Sequence, residues 1–296
     1  MTLAARRTAT AYAFLALPLV FFISVRFGPM LYMMAMSLTD WGLLRKVLRF
    51  VGFSNYATIF ADPVFLKSLS NTATYAIFGT PAVIVISLCL ALLLDNVHGK
   101  GRSLFRLIYV LPYITPLVAV AWVWRWMFET PPLGIVNALL VGIGLPAREF
   151  LNSPTQALPS ILTVNVWVDL GYCTTVFLAG IQTIPRGIIE AARIDGASAR
   201  QILRRIVLPL LLPVTLFLTV IEGIQFLRIF TQVYNMSYQA SGGPLNSTKS
   251  AALYIYQKAF TDFNMGVAAS ASLVLFVIIL GVTLIQVRLF DRKLEY

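Results

Sequence analysis

The sequence predicts an all-α polytopic membrane protein with six transmembrane helices. The mean hydropathy is +0.81, and 58% of the residues are hydrophobic while 12% are charged, a balance that soluble domains do not have. The apolar residues form six runs that are each long enough for a helix to cross a bilayer, which takes about 20 residues. The basic residues lie in short loops beside these runs, as is typical of topology signals.

The six runs cover residues 12–37, 71–94, 107–128, 160–181, 207–230 and 265–287. The first run contains Arg26 followed by Gly28 and Pro29, a combination that predicts a kink. An arginine inside a span is costly, so we interpret Arg26 as part of a structural ion pair or as a side chain that snorkels to the interface. A role in a transport pathway is the alternative.

Six spans place both chain termini on the same side of the membrane. The loops on that side, together with the termini, hold 13 lysine and arginine residues, whereas the loops on the other side hold 9. Most of the excess lies in short, dense loops, to which the positive-inside rule gives the greatest weight. The sequence therefore predicts that both termini, and the loop between the fourth and fifth spans, face the cytoplasm.

Composition and motifs argue against an enzyme. The chain has one histidine and 12 carboxylates, most of them in loops, and it contains no HExxH or GxSxG motif. Lys100 lies between two glycines, but the upstream glycine of a phosphate-binding loop is missing, so the chain is not its own ATPase. The net charge of +11 is scattered along the chain rather than gathered in a stripe, so we expect no nucleic acid partner.

Polar side chains inside the apolar runs are the candidates for a substrate pathway, because their insertion is expensive. The fourth run holds two of them four residues apart on one helical face, and the fifth run holds three. They are Asn165, Asp169, Glu222, Gln225 and Arg228. The alternative is a purely structural role, in which Glu222 pairs with Arg228 or Arg26 and holds helices together.

The segment from Glu190 to Pro209 is the most distinctive part of the chain. Apolar residues recur at helical spacing before and after Gly196, while arginines cover the opposite face of the second piece. Gly196 can adopt the left-handed conformation that ends the first helix, and Ser198 can cap the second. Physical chemistry alone leaves two interpretations open, a basic helix on anionic headgroups and a docking element for a cytoplasmic partner.

Glu190, Ala191 and Ala192, followed by Gly196 and later by Ile206 and Leu208-Pro209, resemble the EAA loop of binding-protein-dependent ABC importer permeases. In that family the loop forms a coupling helix that sits in a groove of the ATP-binding subunit. The resemblance implies a cytoplasmic coupling-helix loop over residues 186–206. The implied docking residues are Glu190, Ala191, Ala192, Asp195, Gly196, Ile206, Leu208 and Pro209.

Weaker, distributed similarity extends the resemblance to nearly the whole chain. The patches that resemble sugar permeases of the maltose and glycerol-3-phosphate type are residues 17–18, 28–29, 37–40, 52–56, 134–137, 242–248 and 265–270. This implies a pathway for a carbohydrate, meaning a sugar, amino sugar or glycerophosphate-type solute. It also implies three regions: a first transmembrane helix with an external connection (1–70), an importer core with five helices (71–287) and a cytoplasmic tail (288–296).

The resemblance also implies partners and a location. The expected partners are a second permease subunit, an ABC ATPase dimer, an extracytoplasmic solute-binding protein and the lipid bilayer. We expect the second permease to be a different chain, and a second copy of this chain is the alternative. ATP and Mg are expected in the ATPase, with no cofactor or metal in this chain, and the expected location is the bacterial inner membrane. The alternative function is an ion-coupled secondary transporter with Asp169 and Glu222 as its coupling carboxylates.

Overall fold

The computed structural model describes residues 3–42, 48–95, 100–130 and 133–291, and over these ranges the chain is almost entirely helical. An isolated bridge between Thr39 and Phe50 is the β-type pairing found there. The helices are α1 (Leu3–Phe22), α2 (Gly28–Ser37), α3 (Ser54–Ala61), α4 (Pro63–Asp95), α5 (Lys100–Ile114), α6 (Leu117–Met127), α7 (Ile135–Gly142), α8 (Ala157–Gln182), α9 (Arg186–Ile194), α10 (Ala199–Ile202), α11 (Leu208–Leu210), α12 (Leu212–Leu227), α13 (Thr231–Met236), α14 (Ala251–Tyr256) and α15 (Met265–Asp291).

Four stretches of the described chain are long and apolar enough to cross a membrane as single helices. They are Thr10–Ser37, Pro63–Asp95, Ala157–Gln182 and Met265–Leu289. Two bent pairs, Leu107–Ile114 with Leu117–Met127 and Ala199–Leu210 with Leu212–Leu227, raise the number to six when each pair is counted as one span. The all-α polytopic fold class is confirmed.

The apolar runs of the sequence predict neither of the two bends. The third span turns by 105° between Ile114 and Leu117, and the fifth turns by 62° at Leu211. Pro116 disfavours helical geometry at the residue before it, so the chain breaks at Thr115. In the fifth span, Pro213 lacks the N–H group that would continue the helical hydrogen bonds through this point. The predicted continuous helices over 107–128 and 207–230 are therefore corrected to bent pairs.

The other boundaries differ less. The helix of the second span begins at Pro63, before the predicted start, because a proline is well suited to the first turn of a helix. The first span contains a π-helical turn over Ile23–Phe27, and it runs as one stretch from Thr10 to Ser37, so the kink near Arg26 stays a prediction. The predicted tail is described as far as Asp291, and its remaining residues lie outside the described ranges.

One compact unit comprises Met1–Asp62 and Ile255–Leu275. The buried Asn55 amide holds it together by donating to the carbonyl oxygens of Ser37 and Thr39, each at 2.8 Å. The start of α15 approaches so closely that a Cβ on Gly266 would lie 2.1 Å from the Thr39 oxygen. Three of the patches that resemble sugar permeases (37–40, 52–56 and 265–270) therefore meet in this unit.

The second unit comprises Pro63–Tyr254 and Phe276–Tyr296, and α8 lies at its centre. α8 packs against α4, α5 and α12, and it buries Ile161 and Phe177. Glycine allows the closest approach, because a Cβ on Gly171 would lie 2.0 Å from the Tyr109 carbonyl oxygen of α5. The centre of this unit is therefore a set of tightly packed spans around α8. Two of the pathway candidates, Asn165 and Asp169, lie on α8, and the predicted docking loop follows its C-terminal end.

Candidate functional site

The loop between the fourth and fifth spans forms two short helices joined by a sharp turn. The N–H of Ala197 donates to the Ala192 oxygen at 2.9 Å, and the N–H of Gly196 donates to the Arg193 oxygen at 3.1 Å. These two bonds, with Gly196 at φ +79°, form a Schellman motif at the end of α9. The left-handed conformation predicted for Gly196 is confirmed.

Ser198 begins the second helix of the loop. Its side chain accepts a hydrogen bond from the Gln201 N–H at 3.4 Å, and the Gln201 side chain accepts one from the Ser198 N–H at 2.7 Å. This reciprocal arrangement is a capping box, which satisfies two backbone donors at the start of α10. The predicted cap at Ser198 is confirmed, and with Gly196 it fixes the angle between the two helices.

The loop exposes most of the residues that the resemblance assigned to docking. Glu190, Ala191, Asp195, Gly196, Leu208 and Pro209 are exposed, and Ala192 and Ile206 are half-buried. Ile194 projects from the loop with 86% of its surface exposed. A hollow of about 270 Å³ beside Gly196 is lined by Asp195, Gly196, Ala197, Gln201, Ile202, Arg205 and Ile206. The loop thus offers apolar and basic groups to a partner.

A chain of buried polar groups links α8, α12 and α13. The Gln232 amide donates to Asn165 Oδ1, and the Asn165 amide donates to Asp169 Oδ2 at 3.2 Å. On the other side, the Cys173 thiol donates to Glu222 Oε1 at 3.1 Å. Asp169 and Glu222 interact electrostatically across this site. These five residues, called the polar network below, are each less than a tenth exposed.

The structure gathers some of the pathway candidates and separates others. Asn165, Asp169 and Glu222 belong to the polar network, whereas Gln225 and Arg228 are exposed and lie outside it. Within the described chain, Glu222 forms no ion pair with Arg228, and its Oε2 has no hydrogen-bond partner. The structural alternative of a Glu222–Arg228 pair is therefore absent from this conformation.

Two tyrosines border the polar network. The Tyr113 and Tyr172 rings stack with centroids 5.2 Å apart and planes 16° apart. Asp169 and Glu222 lie within electrostatic range of Tyr113, whose ring is 40% exposed. Tyr113 precedes the bend of the third span, and broken helices often line substrate sites in transporters. Buried carboxyl and amide groups thus lie behind a partly exposed aromatic surface.

Cys173 and Tyr113 are not among the site residues predicted from the sequence. Cys173 follows Asp169 by four residues, so the helical repeat that linked Asn165 to Asp169 could have been continued by one step. Tyr113 could not be found in this way, since its position depends on the bend. In the part of the chain that the structure describes, no group of three or more histidine, cysteine or acidic residues is arranged to hold a metal ion.

Membrane-crossing helices, a polar network between them and an exposed helical loop are features of a membrane transport subunit. Residues 66–296 match the family model described as "Binding-protein-dependent transport system inner membrane component", and the chain belongs to this family. It is the permease subunit of an ABC importer and forms the transmembrane pathway, while a separate subunit hydrolyses ATP. It is an inner-membrane protein, and its transporter works with an external binding protein and an ATPase.

Curated relatives are similar over nearly their whole length. The chain is 34% identical to a probable ABC transporter permease protein, YesP, of Bacillus subtilis (strain 168), with 96% of this chain and 91% of the relative covered. It is 32% identical to the sn-glycerol-3-phosphate transport system permease protein UgpA of Yersinia enterocolitica, with 95% and 92% covered.

Solved structures show the same architecture. A chain of a bacterial ABC transporter involved in the import of the acidic polysaccharide alginate matches with a TM-score of 0.82 and 25% identity, and 98% of each chain is covered. The MetNI methionine ABC transporter matches with a TM-score of 0.55 and 18% identity, covering 78% of this chain and 96% of that chain. The second likeness concerns the fold alone.

Proposed function

We propose that this permease carries a carbohydrate or a related polyhydroxy solute delivered by an external binding protein. Relatives named for sn-glycerol-3-phosphate and alginate support this class, because both molecules are rich in hydroxyl groups. Amide and carboxyl oxygens accept hydrogen bonds from hydroxyl groups, and tyrosine rings cover the apolar face of a sugar. The polar network and the Tyr113–Tyr172 pair offer both kinds of contact.

The exposed conformation of the coupling loop, residues 186–206, is the observation that best supports ATP-driven transport. It presents Glu190, Ala191 and Asp195 on a turn fixed by Gly196 and Ser198. An ATPase subunit docked there would move the loop when it binds ATP and Mg, and the spans would follow as rigid bodies. This arrangement requires the loop and both termini in the cytoplasm, ATP and Mg in the partner, and no cofactor in this chain. A second, different permease completes the pathway.

Transport by the assembled importer in proteoliposomes tests the proposed pathway. Asp169→Ala and Glu222→Ala should each lower solute uptake and solute-stimulated ATP hydrolysis at normal protein levels, since each removes an oxygen-bearing group from the polar network. Glu149→Gln is the control, because Glu149 is an exposed carboxylate outside it. Unchanged uptake and ATP hydrolysis in both alanine variants would exclude these residues from the pathway.

The same preparation separates ATP-driven import from the alternative of ion coupling. Vesicles that contain the permease pair without the ATPase should show no uptake under a proton or sodium gradient. Uptake under either gradient alone would reject the proposed mechanism and favour Asp169 and Glu222 as ion-coupling groups.

A further inference from the structure

An open cavity of about 490 Å³ lies beside the connection between the third and fourth spans, and its volume is within the ~300–1,000 Å³ range of ligand sites. Its wall combines apolar and aromatic side chains with hydroxyl and amide groups and one guanidinium group. The lining residues are Phe128, Val136, Leu140, Arg148, Phe150, Thr155, Gln156, Pro159, Ser160 and Thr163. Neither the coupling loop nor the polar network contributes to it.

The wall of this cavity is well ordered by internal contacts. Asn137 is fully buried, and its amide donates to the oxygens of Glu129 and Arg148 at 2.9 Å, while the Arg148 N–H donates back to Asn137 Oδ1 at 2.8 Å. The Phe128 and Phe150 rings pack with centroids 4.8 Å apart. One buried amide thus holds both ends of the connection and fixes α7 over the cavity.

The cavity adjoins the membrane-crossing part of the protein. Phe128 directly follows α6, and Thr163 lies within the predicted fourth span, so the ends of two spans contribute to the wall. α7 turns Val136 and Leu140 toward the cavity, while Leu139 and the following Ile143 remain 68% and 74% exposed. An amphipathic helix with an exposed apolar face next to span ends is suited to the headgroup and acyl boundary of a bilayer.

We propose that this cavity binds an anionic phospholipid from the leaflet opposite the coupling loop. One acyl chain occupies the apolar wall, and the exposed Arg148 guanidinium pairs with the lipid phosphate, as arginine does at other phosphate sites. The cavity and the coupling loop lie at opposite ends of α8, whose 26 residues extend about 39 Å. The occupant is therefore a lipid of the other membrane face.

Photo-crosslinking in the assembled importer tests the site. The probe is phosphatidylglycerol with a photoreactive acyl chain, and the labelled peptides are mapped by mass spectrometry. We expect label within residues 128–163. Leu140→Trp should abolish this label by filling the cavity, whereas Leu139→Trp, which adds the same ring on the exposed side of α7, should keep it.

Competition with unlabelled lipids tests whether the Arg148 guanidinium binds the anionic headgroup of the lipid. Phosphatidylglycerol should compete better than phosphatidylcholine. Arg148→Gln should reduce this difference in competition about fivefold, because one basic residue near an anionic lipid surface contributes roughly 1 kcal/mol. Lys67→Gln, an exposed charge outside the cavity, is the control and should leave this difference unchanged. Arg148→Gln alters an exposed side chain, so it should fold even if Leu140→Trp does not.

Three results would overturn the proposal. The first is equal competition by the two lipids in the unmodified importer. The second is displacement of the probe by excess inorganic phosphate, which would make the cavity a site for free anions. The third is label that appears on the isolated chain and is lost in the assembled importer, which would make the cavity an interface between subunits.

Discussion

Gly196 offers the most direct test of whether the coupling loop binds the ATPase subunit. A substitution there changes the preferred backbone conformation without adding a steric clash, so the two effects can be told apart. The Gly196 φ of +79° lies in the left-handed region, and a Cβ added there would meet no atom within 4 Å. A substitution at this position therefore changes the backbone preference without creating a clash inside the chain. We expect binding of the ATPase subunit to weaken in the order glycine, asparagine, alanine, valine.

The expected loss of affinity follows from the cost of placing an L-residue in the left-handed backbone conformation. Left-handed geometry costs an ordinary L-residue roughly 1–2 kcal/mol, which corresponds to about a 5- to 30-fold loss of affinity if docking requires the turn. Asparagine adopts this conformation more readily and should lose less. Valine is branched at Cβ, for which a positive φ is a genuine outlier, so Gly196→Val should abolish docking.

The assay is the affinity of the ATPase subunit for the permease pair in lipid nanodiscs, followed by ATP-dependent uptake. Gly187→Ala is the matched control, because it adds the same methyl group to open space at a glycine of α9 without a positive φ. Alanine there should preserve or slightly stabilise the helix.

Two outcomes would refute this reasoning. Unaltered affinity and uptake in Gly196→Val, with normal folding, would show that the turn does not control docking. An equal loss in Gly187→Ala and Gly196→Ala would show that the docking surface is sensitive to added volume rather than to the left-handed turn.

Three further predictions concern folding of the second unit. Gly171→Ala should lower the melting temperature, because its Cβ would lie 2.0 Å from the Tyr109 oxygen, whereas Gly142→Ala has open space and should not; equal melting temperatures would contradict this. Ser198→Ala should increase hydrogen exchange at the start of α10, because loss of the N-cap lowers the stability of the helix by about 1 kcal/mol. Ser198→Thr should restore the slow exchange, and unchanged exchange in Ser198→Ala would contradict a stabilising cap. Asn71→Leu should speed proteolysis after α13, since its amide holds two carbonyl groups of that connection; unchanged cleavage would argue against this anchor.

Rules that act over a few residues predicted the local structure well. Gly196 and Ser198 could be placed correctly because a helix end and a capped start each depend on neighbouring residues alone. The apolar runs predicted the spans for a similar reason, since the bilayer imposes a length that the sequence displays directly. The two bends escaped this approach because each proline is compatible with either a kink or a break, and tertiary packing decides between them.

The contacts of the polar network between different helices could not be predicted from the sequence. Asn165 and Asp169 could be paired from their spacing on one helix, but the hydrogen bonds from α8 to Gln232 and Glu222 join helices far apart in sequence. Gly171 permits the close approach of α8 to α5, the helix that carries Tyr113. The absence of a side chain at this one position thus helps to place Tyr113 beside Tyr172, so loss of Gly171 should disturb the aromatic side of the candidate pathway as well as the packing.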